Sequence, residues 1–435
     1  MRACWGIMLG AVACQPAREP PPDAAPDIVL LVASGLRADA GTPGAEAALY
    51  RGLGGPPGLR FTNAYAQSCV PYTSLGSMLT GRYPSAIPLC GTYDPNSLAP
   101  QSGQDQPWCA SIPKQTWTLP EVLSVYGYRS GAYVSNADAD SETDWEALTG
   151  QVGEWWREDE APRLLMIQVL DLHMLQYDPA TGYNEQEPGL DRREAAISAG
   201  ELRTMYIERA EAMGGALREL LGVLPESRQR PLEVWLTSTS GLSLRETTGL
   251  KSDHLQAVTN SVIVDRTVHV PLARLTGRSA PAEDHRVVEL IDILPTLAGR
   301  AGARVPAGAQ GHDLLNETPD PAPWAYAEFG DMLSLREGDD LLTFRFFLHN
   351  ASSLDPRLTE GLQGWTAADM HFMGLHDVAA DPLQVSDRSA AEVERVEALQ
   401  QALLAVRQGP GAPPPESMSK ERLEALRLSP ASGYW

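Results

Sequence analysis

The residue types that could act as nucleophiles are concentrated in one short stretch, where Cys69 is followed by the hydroxyl residues Thr73 and Ser74. A thiolate or an activated hydroxyl can attack an ester and form a covalent intermediate. His173 lies much further along, just after the aliphatic run 164–170, and an imidazole is the commonest general acid or base. The sequence therefore contains the parts of an ester-hydrolysing site.

A site of this kind also needs groups that hold an anionic substrate. Asp171, Asp253 and Asp265 are the carboxylates that could hold a divalent cation, because hard cations prefer oxygen ligands. Lys251 and His254 could contact an anionic ester, although a solvated surface loop is the simpler interpretation of their surroundings. No spacing in the sequence forces these groups to meet.

The hydrophobic pattern predicts the elements that would position these residues. Three continuous aliphatic runs are typical of strands buried on both faces of a parallel sheet: Asp27–Ala33, 164–170 and Leu232–Thr237. Helical segments alternate with them, beginning with a capping box at Thr118 and Glu121. The further predicted elements are a strand over Arg129–Ser135 and helices over 196–224 and 287–301. This alternation indicates a doubly wound α/β sheet with ligands at the carboxyl ends of its strands.

The pattern changes in the last quarter of the chain. Short segments there predict a small antiparallel sheet, with strands over 325–329, 333–336, 341–348 and 374–378. A helix is predicted over 390–407, and a Pro-rich break then leads to a charged helical stub. We therefore expect a small second sheet with one helix packed on it.

Net charge excludes two classes of partner. The chain has 34 Lys and Arg residues against 56 Asp and Glu residues, a formal net charge of −22. This balance argues against nucleic acid and against polybasic attachment to a membrane. The same charge repels an anionic ligand at long range, so such a ligand would need local cationic groups.

Residues 1–14 are typical of an export signal. Arg2 provides a positive start, residues 5–13 are mainly apolar, and small residues lead to Cys14. This pattern resembles a bacterial lipoprotein signal in which Cys14 is lipidated; a short secretory signal or a misassigned start codon are the alternatives. We expect an exported protein, held in the cell envelope or periplasm as a lipoprotein and otherwise secreted. The apolar run is too short to span a bilayer, so membrane attachment would be through lipid alone.

Export would place the remaining cysteines in an oxidising compartment. Cys90 and Cys109 bracket a loop rich in Pro, Gly and Gln, which they could close as a disulfide. Cys69 would then be the odd thiol.

Ten segments, taken in order, resemble motifs of the sulfatase family, within the alkaline-phosphatase superfamily. They are IVLLVASGLRAD (28–39), LRFTNAYA (59–66), LTGRYP (79–84), TLPEVLSVYGYRSGAYVSN (118–136), VLDLH (169–173), LTSTSG (236–241), VHVPL (268–272), LIDILPTLA (290–298), AYAEFG (325–330) and LHDVAADP (375–382). Their order and intervals carry the resemblance, since one such match alone would be weak. The resemblance implies an α/β fold: a large mixed sheet sandwiched by helices, with a small C-terminal antiparallel sheet and a packed helix.

The same resemblance locates the metal ligands. Active sulfatases bind a divalent cation, usually calcium, and the resemblance places one ligand pair at Ser34-Gly35 and the other at Thr239-Ser240. None of these four residues is ionisable, and hydroxyls and a glycine do not replace carboxylates around a hard cation. We therefore predict no cofactor, with calcium expected in active relatives.

The nucleophile position is substituted as well. Counting back from LTGRYP, the resemblance places the family's formylglycine precursor at Pro71, which has no nucleophilic atom. Cys69 begins a Cys-x-Pro form two residues too early, away from a helix N-terminus that would activate a thiol, so we expect a structural cysteine. For Thr73 and Ser74 we expect that one of them is a helix N-cap.

Two further positions follow from the resemblance. His173 matches the histidine that contacts the ester, and we weigh site lining and a structural role equally. Lys251 and His254 lie in the loop where the family places a cationic substrate contact, though offset along the chain. The expected organisation is a signal (1–14), a Pro/Ala-rich tether (15–26), a sulfatase-like domain (27–320), a C-terminal subdomain (321–408) and a Pro-rich tail with a short helix (409–435).

We therefore expect a sulfatase-like envelope protein that is catalytically impaired and that keeps its fold to bind an anionic ester, a glycan or a protein. The alternative is an active sulfatase or phosphoesterase-type hydrolase with a rearranged site. That alternative would use Cys69, Thr73 or Ser74 as nucleophile and His173 as acid or base.

Overall fold

The computed structural model describes residues 25–38, 44–87, 112, 116–135, 142–177, 197–224, 230–244, 258–259, 263–277, 280–316, 324–329, 332–346 and 370–408. The predictions for Cys14, Cys90, Cys109, Lys251 and His254 lie outside these residues. So do the predicted signal, most of the tether and the C-terminal tail.

A large sheet forms the centre of the described residues. Its seven strands are β1 (Asp27–Ala33), β2 (Leu59–Tyr65), β3 (Arg129–Ser135), β4 (Arg163–Val169), β5 (Leu232–Thr237), β8 (Leu272–Arg274) and β9 (Ala282–Glu289). Strands β6 (Ser243–Leu244) and β7 (Val258–Thr259) pair separately as a short two-stranded sheet. The strand order is β3-β4-β1-β5-β8-β2-β9. The pairings are parallel except those of β8, which runs antiparallel to both β5 and β2. The sheet is therefore mixed.

The central strands form where the sequence is continuously aliphatic. Every residue of β1 is buried. Successive side chains of a strand point to opposite faces, and Val29 and Leu31 accordingly pack in one hydrophobic core while Ile28 and Leu30 pack in the other. A strand buried on both faces leaves its carboxyl end as the place where polar groups can collect.

Helices cover both faces of this sheet. They are α1 (Ala45–Leu53), α2 (Pro71–Thr80), α3 (Leu119–Val125), α4 (Glu142–Trp156), α5 (Ala199–Gly222), α6 (Asp265–Val268) and α7 (Ile293–Arg300). The predicted capping box of α3 is present, with the Thr118 amide donating to Glu121 over 2.8 Å. This contact satisfies an amide that would otherwise lack a partner at the helix start.

One predicted helix is wrong over part of its length. The segment 287–301 begins as the end of β9, continues as a 3-10 turn over Leu290–Asp292 and becomes helical only in α7. Strand β9 is an edge strand that pairs with β2 alone. Pairing with β2 holds Val287 to Glu289 extended, which overrides their compatibility with a helix.

A second, antiparallel sheet follows in the C-terminal part of the chain. Its strands are β10 (Trp324–Phe329), β11 (Met332–Glu337), β12 (Asp340–Phe346) and β13 (Met370–Asp377), in that order, and helix α8 (Val393–Gln408) packs on it. The predicted fold class is confirmed: a large mixed sheet with helices and a small antiparallel sheet with a packed helix. The boundary predicted between residues 320 and 321 lies outside the described residues and stays a prediction.

No helix in the described part of the chain is both long and apolar enough to cross a membrane.

Candidate functional site

The two predicted metal-ligand pairs meet at the carboxyl ends of neighbouring strands. Ser34 directly follows β1, and Thr239 lies two residues after β5. Their hydroxyl oxygens are 2.9 Å apart, although 205 residues separate them along the chain. Gln168, on β4, donates from Nε2 to the Ser34 hydroxyl over 3.1 Å. We call Ser34, Gln168 and Thr239 the hydroxyl network.

The hydroxyl network is buried and neutral. Ser34 and Thr239 are fully buried and Gln168 is 5% exposed. Buried polar groups are costly unless they are hydrogen-bonded, and these three side chains bond to one another. Calcium is usually bound by six to eight oxygens that include carboxylates. The donor set here has no negative charge to offset a divalent cation, so the residues present do not fit a calcium ion.

The backbone also closes the space that a ligand side chain would need. Gly35 has a φ of +90°, and a Cβ atom there would lie 2.8 Å from the amide nitrogen of His173. The Gly35 amide donates to the Ser240 carbonyl over 3.0 Å, and the Gly35 carbonyl accepts from the Tyr206 hydroxyl over 2.6 Å. A carboxylate at position 35 would therefore require the 172–173 turn to move.

The second ligand pair is equally enclosed. Thr239 and Ser240 are fully buried, and the Ser240 hydroxyl has no hydrogen-bond partner among the described residues. The next residue, Gly241, donates its amide to the Thr267 carbonyl over 2.9 Å. A Cβ atom on Gly241 would overlap the Arg266 carbonyl oxygen. Helix α6 therefore packs directly against the loop that would carry the second pair.

The predicted nucleophile position is the first residue of a helix. Pro71 begins α2, and Val70 is the N-cap with an extended backbone (φ −94°, ψ 124°). Proline suits this place because its fixed φ is helical and its missing N–H would have no helical partner anyway. Pro71, the position that the resemblance assigns to the nucleophile, thus lies at a helix N-terminus and has no reactive atom.

Cys69 lies just before this helix, in an apolar environment. The residue is fully buried and packs with Tyr65, Ile263 and Val268. Burial raises the pKa of the Cys69 thiol well above its ordinary value. A thiol attacks as its thiolate, so this environment disfavours nucleophilic use of Cys69.

Thr73 and Ser74 do not cap α2, which corrects the expectation from the sequence that one of them is the helix N-cap. Val70 is the N-cap and gives no side-chain hydrogen bond. The Ser74 hydroxyl instead donates to the Ser68 carbonyl over 2.7 Å and accepts from the Ser68 amide over 3.1 Å. Both Thr73 and Ser74 are buried. They lie in the first helical turn rather than before it, where Ser74 ties the preceding loop back onto the helix.

His173 is held beside the first ligand pair. It begins a 3-10 turn, His173–Tyr177, soon after β4, and its amide nitrogen faces Gly35. Burial lowers the pKa of the His173 imidazole to about 4. The ring is therefore neutral at physiological pH and provides no positive charge for an anionic ester.

The carboxylates named for a rearranged metal site do not form one among the described residues. Asp171 is buried near His173, whereas Asp265 is ion-paired with Arg336. No group of three or more His, Cys, Asp or Glu side chains in the described ranges could hold a metal ion. Asp253 lies outside those ranges.

Sequence reasoning missed two residues of this region. Gln168 is a polar residue inside the aliphatic run of β4, and that break in the pattern was the signal for it. Tyr206, on α5, bonds both to the Gly35 carbonyl and to the Arg37 amide, the latter over 3.0 Å. No local pattern distinguishes Tyr206 from other buried residues of its helix.

Comparison with known proteins identifies the fold. No family model matches the sequence, and no curated protein is similar enough to match it. Among solved structures, a 2-O GAG sulfatase is 14% identical with a TM-score of 0.62, covering 87% of this chain and 91% of that chain. The phosphonate monoester hydrolase of Agrobacterium radiobacter is also 14% identical, with a TM-score of 0.59 over 91% of this chain and 100% of its own.

A third neighbour was solved in complex with its substrate, D-glucosamine-2-N,6-O-disulfate. It is 14% identical, with a TM-score of 0.59, and the match covers 88% of this chain and 98% of that one. At this identity the likeness concerns the fold. The chain has the fold of these solved structures, among them a sulfatase and a phosphonate monoester hydrolase.

Proposed function

We propose that this chain is a non-catalytic protein of the sulfatase fold, which keeps the architecture and binds a ligand or a partner without turning it over. The observation that carries the proposal is the hydroxyl network. At the carboxyl ends of β1 and β5, the Ser34 and Thr239 hydroxyls lie 2.9 Å apart, and the Ser34 hydroxyl also accepts from the Gln168 amide. Short contacts between neutral groups occupy the place where the fold's metal chemistry requires charge.

Two independent losses support the proposal. A metal ion in such a site would polarise the ester and stabilise the charge that develops in the transition state. A nucleophile would supply a covalent route, and Pro71 has none to offer. Since each contribution is worth orders of magnitude in rate, losing both leaves little of the fold's hydrolytic chemistry.

The setting of the protein is part of the same proposal. The pattern of residues 1–14 supports export, with attachment to the cell envelope through a lipid on Cys14. The ligand would be an anionic ester, a glycan or a protein. These assignments depend on the sequence pattern and on the ligands that the sulfatase resemblance implies.

The test is metal content and turnover of the purified full-length chain. We expect no bound divalent ion and no hydrolysis of aryl sulfate or phosphodiester substrates above the buffer blank. A Cys69→Ala variant is assayed in parallel, since Cys69 is the one thiol among the described residues. Turnover that requires a divalent ion would contradict the proposal. Turnover lost in the Cys69→Ala variant would instead identify an active hydrolase with a displaced nucleophile.

A further inference from the structure

A cleft lined by residues of both the large and the small sheet lies at some distance from the hydroxyl network. Its volume is about 590 Å³, within the range of roughly 300–1,000 Å³ common for small-molecule sites. Helix α6 separates the two regions: its Thr267 carbonyl accepts from Gly241 beside the network, whereas Asp265 and the following His269 line the cleft. Ligand sites form preferentially at such boundaries.

The walls of the cleft combine apolar surface with a few charged groups. Pro56 and Pro57, between α1 and β2, form part of one wall, and Val378 and Ala379, after β13, form part of the other. Apolar walls with few polar groups are typical of sites for small organic molecules. The charged groups therefore decide which class of molecule fits.

Both guanidinium groups in the cleft are already paired. Arg60 donates from Nε and Nη2 to the two oxygens of Glu46, over 2.8 and 2.7 Å, and from Nη1 to Glu283 over 3.2 Å. Arg336 donates from Nη1 to Asp265 and from Nε to the Gly338 carbonyl over 2.9 Å. Neither arginine is poised to receive an anion.

The carboxylates of the cleft keep unused capacity. The Asp339 side chain is 68% exposed, and the cation it meets among the described residues, Arg336 Nη2, is 4.0 Å away. The second oxygen of Asp265 lies 3.7 Å from Nδ1 of His269, beyond hydrogen-bonding distance. Nε2 of His269 is 2.9 Å from the Thr62 carbonyl, which can only accept, so this nitrogen carries the proton.

A buried hydroxyl lies beneath the same groups. Tyr65 is 2% exposed, and its hydroxyl has no hydrogen-bond partner among the described residues. Its ring stacks on His269 with centroids 4.8 Å apart, and the Arg336 guanidinium lies 5.2 Å from the ring centroid. Burial raises the pKa of Tyr65. Its ring contacts His269 and Arg336, which both line the cleft, so the residue lies beside the cleft. A buried polar group without a partner is rare and often indicates a functional role.

We propose that this cleft binds a small organic cation, an amine or guanidinium on a short apolar stem. The charged group lies between Asp339 and the second oxygen of Asp265, and the stem packs on Pro57 and Val378. Among the described residues that line the cleft, carboxylates outnumber guanidinium groups by three to two. The chain's net charge of −22 attracts cations at long range. This proposal does not depend on the loss of catalysis.

The test compares three probes with the same stem by isothermal titration calorimetry on the full-length chain: n-pentylamine, n-pentanol and valerate. We expect saturable binding of the amine, up to about fivefold weaker binding of the alcohol, and no binding of the acid, because a partly exposed ion pair contributes up to roughly a fivefold difference. Equal binding of amine and alcohol, or no saturable binding of the amine, would overturn the proposal.

Variants locate the binding. Asp339→Asn keeps the shape of an exposed side chain and should weaken amine binding about fivefold. Tyr65→Phe should also weaken it without lowering the melting temperature, since the hydroxyl it removes has no partner among the described residues. The control is Glu211→Gln, an exposed carboxylate paired with Arg51 elsewhere on the surface. Equal affinity in the Asp339→Asn and Glu211→Gln proteins would place the amine outside the cleft and overturn the proposal.

Discussion

Two polar regions of this molecule offset the energetic cost of burying polar groups in opposite ways. At the carboxyl ends of β1 and β5, the hydroxyl network is neutral and tightly closed by the backbone of Gly35 and Gly241. At the boundary between the two sheets, charged groups are partly buried and paired, as with Asp265 and Arg336. The first region is neutral, whereas the second, on the other side of α6, is charged.

The two arrangements differ in what burial costs. A buried charge is expensive unless it is paired, and hydrophobic replacements of similar volume are often at least as stable. The neutral network at Ser34 and Thr239 avoids this cost through its hydrogen bonds. The Asp265–Arg336 pair, with Asp339 beside it, depends on pairing instead.

The largest effect on stability should come from adding one carbon atom at Gly35, beside the hydroxyl network. We expect Gly35→Ala to lower the free energy of unfolding by about 3–4 kcal/mol, because a non-glycine residue at φ +90° is strained and its Cβ would press on the His173 amide. Urea unfolding measures this loss. Gly150→Ala, in α4 with open space around its Cβ, is the control and should gain up to about 1 kcal/mol. Similar values for the two variants would mean that the site is not closed.

At the charged boundary, removing one partner should cost somewhat less. We expect Arg336→Met to lower stability by about 3 kcal/mol at neutral pH, because it leaves Asp265 without its cation. Burial alone would raise the pKa of Asp265, but Arg336 and His269 lower it to about 2. The pair therefore stabilises the fold above the ordinary carboxylate pKa and is lost as pH falls toward 2.

Unfolding measured between pH 7 and pH 2 checks both the size and the sign of this effect. The deficit of the Arg336→Met protein should shrink as pH falls. Arg51→Met, which breaks the exposed pair with Glu211, should cost less than about 1 kcal/mol at every pH. A pH-independent deficit in Arg336→Met would mean that lost packing, rather than charge, is responsible.

A second carboxylate at the boundary should give the opposite pH dependence. Glu289 accepts hydrogen bonds from the Tyr83 hydroxyl over 2.6 Å and from the Tyr326 amide over 2.9 Å, and so joins β9 to the small sheet. Burial and the nearby Asp292 raise the pKa of Glu289 to about 8, from an ordinary 4.5. The folded state then favours the protonated form, so its stability is full below pH 4.5 and declines as pH rises toward 8.

We expect the protein to lose about 2 kcal/mol between pH 5 and pH 6.5 from this group, given about 1.4 kcal/mol per unit of pKa shift. In Glu289→Gln the slope of stability against pH should flatten over that range. Thermal unfolding at one-unit pH intervals measures it. An unchanged slope would show that Glu289 is ionised in the folded protein without loss of stability. The boundary between the two sheets would then tolerate an unpaired charge.

How much of this could be read from the sequence depends on the range of the interactions involved. The limits of β1 and β5 were predicted to the residue, because a strand buried on both faces needs a continuous aliphatic run. The resemblance implied that Ser34 and Thr239 lie near each other, since it assigns both to one metal site, but the pairing of β1 with β5 and the direct contact of the two hydroxyls are known only from the structure. The extended start of 287–301 was missed because pairing with β2 at a sheet edge outweighs local propensity.

The boundary could not have been predicted in this way. Asp265 and Arg336 are 71 residues apart and lie on a four-residue helix and a strand of the other sheet. No periodicity or motif connects them. Likewise, either Thr73 or Ser74 was expected to cap α2, but only the structure reveals that the Ser74 hydroxyl turns back to Ser68.

The smallest predicted effect tests the neutral region from within. Ser34→Ala removes a hydroxyl that bonds to Thr239 and accepts from Gln168, so it leaves a buried amide and a buried hydroxyl each one partner short. We expect a loss of about 1–2 kcal/mol in urea unfolding. Replacing both hydroxyls, Ser34→Ala with Thr239→Val, should cost less than the sum of the two single changes, because the contact between them is counted twice. If the double change is additive, the two hydroxyls act separately and the region is not one closed network. If Ser34→Asp proves more stable than Ser34→Ala and binds calcium, the region has kept more of a metal site than its present residues indicate.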